Sequence, residues 1–257
     1  MSLLEIATDG RVRRITLNRP EKRNALSAAL CFELAETIEA TDHDSDIGAI
    51  VLAANGSAFC AGMDLGEVRP DLEKEINDAH ERIFTIGARV ATPLVAAVQG
   101  PALGGGTGLV ANCHIVIASE AATFGLTEIR LGLWPFLVYG AVESALGERR
   151  TVELALTGRI LEAAEAWELG LVHEVTADAD SRATAVARKV AGYSSTAIRT
   201  GLGFVQEVRG KSWRESAQVA RRTRNQVFSS PDFLEAIREF REKRPTTSRR
   251  FSEKDTA

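Results

Sequence analysis

An α/β core followed by a helical C-terminal region is the architecture the sequence predicts, and three observations predict it. Apolar runs of strand length alternate with amphipathic helical stretches as far as residue 177. From Asp178 the strand patterns stop and helical periodicity continues alone. The chain has 257 residues, 45% hydrophobic and 26% charged, enough to bury one large core without staples. The expected division is a core (1–177), a helical region (178–244) and a polar tail (245–257).

The elements follow in order. Leu3 to Thr8 and Arg11 to Asn18 alternate apolar and polar residues around Asp9-Gly10, a hairpin signal. A charged loop, Arg19 to Asn24, leads to a helix with Ser27 as N-cap and Leu30, Leu34 and Ile38 on one face. Ala49 to Ala53 is a buried-type strand, and Asn55 to Leu65 leaves it through small residues. Residues 66–90 are charged and loosely helical, expected as a mobile cover. Val138 to Leu146 and Arg149 to Leu156 read as helices, and Glu162 to Leu169 as a short helix closed by Gly170. Further amphipathic helices are expected near 179–191, 195–208, 212–227 and 231–243.

The stretch Val98 to Gly132 carries the functional signal. An apolar run, Pro93 to Val98, leads through Gly100-Pro101 to Gly104-Gly105-Gly106. Glycines between a strand and a helix let backbone N–H groups approach a ligand closely. At a helix start those N–H groups have no intrahelical partner and favour negative charge, whether a phosphate or a developing oxyanion. A P-loop would continue with Lys and Ser/Thr, but Gly106 is followed by Thr107-Gly108-Leu109. The dinucleotide fingerprint fits no better, since it belongs after the first strand of a βαβ unit. Alone, the triplet is equally compatible with close helix packing.

Composition excludes other classes. A net charge of −4 argues against nucleic acid or an anionic membrane as the main partner. Cys31, Cys60 and Cys113 are too scattered for a disulfide framework or a zinc site, which suits a reducing cytoplasm. No apolar stretch is long enough to span a bilayer. The histidines are isolated, and no metal site is expected at His114 or at His43 within its acidic loop.

Taken together, several segments in order resemble the crotonase, or enoyl-CoA hydratase/isomerase, superfamily over nearly the whole chain. They are Leu17-Asn18-Arg19-Pro20 with Asn24-Ala25-Leu26, then Phe59-Cys60-Ala61-Gly62-Met63-Asp64-Leu65. Gly100-Pro101-Ala102-Leu103-Gly104-Gly105-Gly106, Phe124-Gly125-Leu126-Thr127-Glu128 and Leu131-Gly132-Leu133 follow. Leu156-Thr157-Gly158-Arg159, Gly170-Leu171-Val172 and Phe240-Arg241-Glu242-Lys243-Arg244 complete the set. The resemblance implies a ββα spiral core, a C-terminal trimerisation region, and assembly as a homotrimer or a dimer of trimers. It also implies an acyl-CoA thioester substrate and no cofactor beyond the coenzyme A that the substrate carries. The thioester oxygen would be held by the backbone N–H groups of Met63 and Gly105. Ala61, Asp64, Leu65 and Gly104 would flank the bound thioester. Arg23, Ala25 and Lys243 would lie towards the CoA, and Trp134 and Phe136 towards the acyl end.

The resemblance breaks at one informative position. Hydratases of the family use two glutamates. The first falls two residues after the glycine triplet, where this chain has Gly108, and the second corresponds to Glu128. A carboxylate among Phe124, Leu126 and Leu133 should have a raised pKa suited to proton transfer. Single-glutamate members include Δ3,Δ2-enoyl-CoA isomerases, and Trp134-Pro135-Phe136-Leu137 also looks more like theirs than the hydratases' glycine-rich stretch. The expectation is isomerase-like proton transfer by Glu128. The alternatives are hydration, with Glu67, Glu81 or His80 replacing the lost glutamate, another thioester reaction, or an inactive acyl-CoA binder.

Overall fold

The computed structural model describes residues 2–242, so Lys243 and the polar tail lie outside the described residues. Strands β1 (Leu4–Asp9) and β2 (Val12–Leu17) form an antiparallel hairpin whose turn uses Gly10 at φ +56°. β2 then pairs in parallel with β3 (Ala49–Ala54), followed by β4 (Leu94–Val98), β6 (Ile115–Ser119) and β9 (Glu174–Thr176), in the order β1-β2-β3-β4-β6-β9. A second, three-stranded sheet joins β5 (Ala102–Leu103), β7 (Thr123–Gly125) and β8 (Leu161–Glu162).

The central strands are apolar on both faces because both faces are covered. Ile50 and Leu52 of β3 pack with Leu30, Leu34 and Ile38 of α1 (Ala28–Asp42), which Ser27 caps as expected. Val51 and Ala53 point the other way, with Val95, Ala97 and Ile117, onto α7 (Ala179–Ala191). That helix presents Ala179, Ala183, Ala187 and Ala191, a four-residue repeat that puts small side chains on one face. These alanines pack into a buried cluster with Val12, Ala49, Val51 and Val95 of the sheet.

Helix α2 (Glu73–Phe84) corrects the expectation of a mobile cover. Ile76, Ala79, His80, Ile83 and Phe84 are buried, an i, i+3, i+4, i+7, i+8 stripe beneath a charged outer face. Helices α3 (Gly105–Ala111), α4 (Phe136–Leu146), α5 (Glu148–Thr157) and α6 (Ala163–Leu169) complete the spiral. Gly170 closes α6 at φ +93°.

Helices α8 (Ser195–Val208), α9 (Trp213–Phe228) and α10 (Pro231–Arg241) contrast with α7. Val219 is the one buried residue in all three. Trp213 and Phe240 are 93% and 79% exposed. Polar ties hold α8 to the core: Arg199 donates to Asp42 (3.1 Å) and Thr92 (2.9 Å), and Gln206 donates to the Val90 carbonyl (2.8 Å). Among the described residues no helix is long and apolar enough to cross a membrane.

Candidate active site

The site is built where the 60–65 turn meets the glycine triplet. Leu103 N–H donates to the Cys60 carbonyl at 2.9 Å, and a β-carbon on Gly106 would stand 2.2 Å from that same oxygen. One on Gly62 would lie 2.8 Å from the Leu103 carbonyl and 3.3 Å from the Gly105 nitrogen. Only glycine lets the two backbones come this close. Thr107 braces the turn from inside, donating its hydroxyl to the Ala102 carbonyl (2.6 Å) and accepting from Gly125 N–H (3.0 Å).

This contact brings two backbone donors to one place. Gly105 opens α3, so its N–H has no intrahelical acceptor. Around Met63, Leu26 N–H donates to the Gly62 carbonyl (2.8 Å) and Asp64 N–H donates to the Leu26 carbonyl (3.0 Å). Neither the Met63 nor the Gly105 N–H donates to a backbone carbonyl among the described residues. Both residues line a cavity of about 440 Å³ that also takes in Ala61, Gly104 and Glu128.

Glu128 enters from the second sheet, at the start of a 3-10 turn directly after β7. A β-carbon on Gly104 would stand 3.1 Å from Glu128 Oε1, so the glycine leaves the carboxylate its place beside the donors. Glu128 Oε2 is buried and has no hydrogen-bond partner among the described residues. Burial pushes the carboxyl pKa up, against a smaller lowering by its own backbone N–H. Among the described residues no other carboxylate lines the cavity. Trp134, Phe136, Leu137 and Val138 contribute apolar wall to the same cavity. A larger cavity, about 620 Å³, is bordered by His114, His173 and Arg209 and has neither a carboxylate nor the two donors on its wall.

The position of the missing glutamate is physically closed. A β-carbon on Gly108 would lie 2.4 Å from Val138 Cγ1 and 2.6 Å from Val138 Cβ. Of the three residues considered as its replacement, Glu67 instead accepts from the Ala28 backbone at 2.8 Å and Glu81 is exposed. His80 alone lines the cavity.

Leu65 lines the cavity, whereas Arg23, Ala25 and Asp64 do not. Arg23 is exposed in the left-handed region (φ +51°) and its carbonyl accepts from Ala61 N–H. Asp64 is taken up by Arg19, whose Nη2 donates to it at 3.0 Å while Nη1 donates to the Ala25 carbonyl at 2.7 Å. Burial raises the Asp64 pKa, but the Arg19 hydrogen bond, the Gly66 N–H and the charges of Arg19 and Lys22 outweigh it, leaving the group below its usual value.

Arg19, Asn24 and Thr107 are supporting residues that stood in the motif stretches without a role assigned to them. Asn24, fully buried at φ +53°, donates to the Asn55 and Ala58 carbonyls, both at 2.9 Å. A polar residue inside a turn motif is the signal that would have found it.

Comparison with known proteins identifies the family. The family model described as enoyl-CoA hydratase/isomerase matches residues 7–250. An enoyl-CoA hydratase of Mycobacterium tuberculosis is 34% identical over 260 residues, covering 95% of this chain and 97% of its own. The 2,3-dehydroadipyl-CoA hydratase of Escherichia coli is 32% identical over 250 residues, covering 95% and 97%. The crystal structure of a Mycobacterium smegmatis enoyl-CoA hydratase superposes with a TM-score of 0.91 at 31% identity, covering 95% of this chain and 98% of that one. With a family model that matches residues 7–250 and a fold shared with a solved family structure, this chain belongs to the enoyl-CoA hydratase/isomerase family.

Proposed function

We propose that the protein moves the double bond of a 3-enoyl-CoA to the 2-position, with Glu128 as the single proton carrier. One observation carries this reading: Val138 occupies the space beside Gly108, leaving Glu128 as the lone carboxylate on the cavity wall among the described residues. Glu128 takes a proton from C2, and the electron pair moves onto the thioester oxygen. The N–H groups of Met63 and Gly105 stabilise that charge, a contribution typically worth about 10²–10³ in rate per donor. The electrons then return through C2 and C3, and Glu128 delivers the same proton to C4. Coenzyme A enters only as part of the substrate.

The deciding assay pairs a 3-enoyl-CoA with a 2-enoyl-CoA, using wild-type protein and Glu128→Gln. Isomerisation that depends on Glu128 supports the reading, and its persistence in Glu128→Gln overturns it. Hydration is the second reading, favoured by the names of the relatives, which are hydratases. The exposed apolar side chains of α8–α10 support assembly as a homotrimer or dimer of trimers, and light scattering of the purified protein tests it.

A further inference from the structure

The larger cavity, apart from the Glu128 wall, carries a matched pair of histidines. His114 precedes β6 and His173 precedes β9, and each makes the same two bonds to the neighbouring strand. His114 N–H donates to the Leu94 carbonyl (2.9 Å), and its Nδ1 accepts from Leu94 N–H (2.9 Å). His173 N–H donates to the Val116 carbonyl (2.9 Å), and its Nδ1 accepts from Val116 N–H (3.1 Å). A backbone N–H can only donate, so Nδ1 is the bare nitrogen and Nε2 carries the proton in both neutral rings. Val116 pairs with His173, and His114 stands two residues before Val116 on the same side of the chain. The two rings are therefore one diagonal step apart.

Both rings line this cavity of about 620 Å³, and so does Arg209, the residue after α8. His114 is half-buried, and His173 and Arg209 are exposed, so a molecule can reach all three. Neither Nε2 nor the Arg209 guanidinium has a hydrogen-bond or ion-pair partner among the described residues. The nearby carboxylate of Asp42 is already taken by Arg199 and by the N–H groups of Ala91 and Thr92. Burial lowers both histidine pKa values, joined at His114 by the Arg209 charge and opposed there by Asp42, so both rings are neutral donors near pH 7.

We propose that this cavity binds a free aliphatic carboxylate, its head held by His114, His173 and Arg209 and its hydrocarbon body lying on the apolar wall. Three uncommitted donors, one of them permanently charged, face no carboxylate on that wall among the described residues, which selects an anion. Val110, Leu137, Ala141 and Leu171 supply apolar surface beside them. An inorganic anion would leave that surface unmatched, and an uncharged hydrocarbon would leave the donors unmatched. A carboxylate with an aliphatic body satisfies both, the usual division of labour in a small-molecule site. Phe84 and Leu137 also border the Glu128 cavity, so the two cavities stand back to back across a shared wall.

The test is calorimetric titration of the full-length protein near neutral pH with octanoate, acetate, inorganic phosphate and octan-1-ol. Octanoate should saturate one site per chain, with the other three probes at least about tenfold weaker, since each lacks either the charge or the body. Arg209→Met should weaken octanoate by at least about tenfold, and His173→Leu by about three- to tenfold. Both positions are exposed, so these variants keep the fold. Absence of saturation by octanoate overturns the inference, as does octan-1-ol binding equally well. Phosphate or acetate binding as tightly as octanoate also overturns it, leaving a site for small anions alone. So does an octanoate affinity that ignores Arg209→Met but changes in Glu128→Gln, which would put the molecule in the other cavity. None of these outcomes bears on the isomerase reading, which its own assay decides.

Discussion

Glu128 and Gly104 share one volume. The carboxylate oxygen stands 3.1 Å from the point where a β-carbon at position 104 would lie, and Gly104 adopts φ +53°, ψ −119°. Gly104→Ala therefore meets two obstacles, backbone strain of about 1–3 kcal/mol and displacement of the carboxylate. We expect kcat to fall by at least about 10², since small misplacements of a reacting group carry that penalty. A thermal melt beside the kinetics separates strain from misplacement: an active variant with a lowered Tm would refute the steric link to Glu128.

The pH dependence of isomerisation should follow Glu128. Its pKa is raised by burial, and the base must be ionised, so the rate falls as pH drops through that raised value. Stability runs the opposite way. The folded state holds this proton more tightly than the unfolded chain. Its stabilising contribution is therefore full below the unfolded pKa and disappears as pH rises through the folded one. Glu128→Gln, neutral throughout, should melt higher than wild type at pH 8, by about 2–4 °C if the gain is near 1 kcal/mol. The two should converge near pH 4. Calorimetry at both pH values checks this, and an advantage for Gln at pH 4 alone would contradict it.

Restoring the family's first glutamate should fail without a second change. Gly108→Glu forces a side chain into Val138, and overpacking of this kind costs about 1–3 kcal/mol before any cost of burying the charge. We expect a lowered Tm and no gain in hydration. Gly108→Glu with Val138→Ala should recover part of the stability. If the single variant is as stable as wild type, Val138 does not close the position.

Asp64→Asn tests the turn that carries Met63. Asp64 and Arg19 are only 14% and 15% exposed, and a hydrogen bond to a charged group contributes about 1.5–3 kcal/mol. The Asp64 pKa is depressed, so its contribution is present above the unfolded value and lost as pH falls through the folded one. The variant should therefore be destabilised at pH 7 and approach wild type at acid pH. Urea denaturation at the two pH values measures the difference.

Local signals made much of the fold legible. Asp9-Gly10, the Ser27 cap, the Ala49–Ala53 run and Gly170 each act through a few neighbouring residues, and each stands where its pattern places it. Strands β5, β7 and β8, two or three residues long, are too short to show a period. The charges of α2 hid its buried stripe, because Glu73, Lys74, Glu75, Asp78, Glu81 and Arg82 dominate its composition. At the site, Glu128 and the glycine turn were readable from motif and chemistry. The closure of position 108 was not, because Val138 stands 30 residues further along and only folding brings it there. Likewise, nothing local separated His80 from Glu67 and Glu81. Which of them faces the cavity depends on how α2 seats on its neighbours.

Arg19 has a mechanical consequence. One guanidinium grips the carbonyl of Ala25 and the carboxylate of Asp64, so a single rigid plane spans the loop that carries Arg23 and the turn that carries Met63. The Arg23 carbonyl, bonded to Ala61 N–H, adds a second strut between the same two segments. With two braces at different points, the segments can neither slide nor hinge independently. The position of the exposed loop at Arg23 is thereby tied to that of the turn carrying Met63.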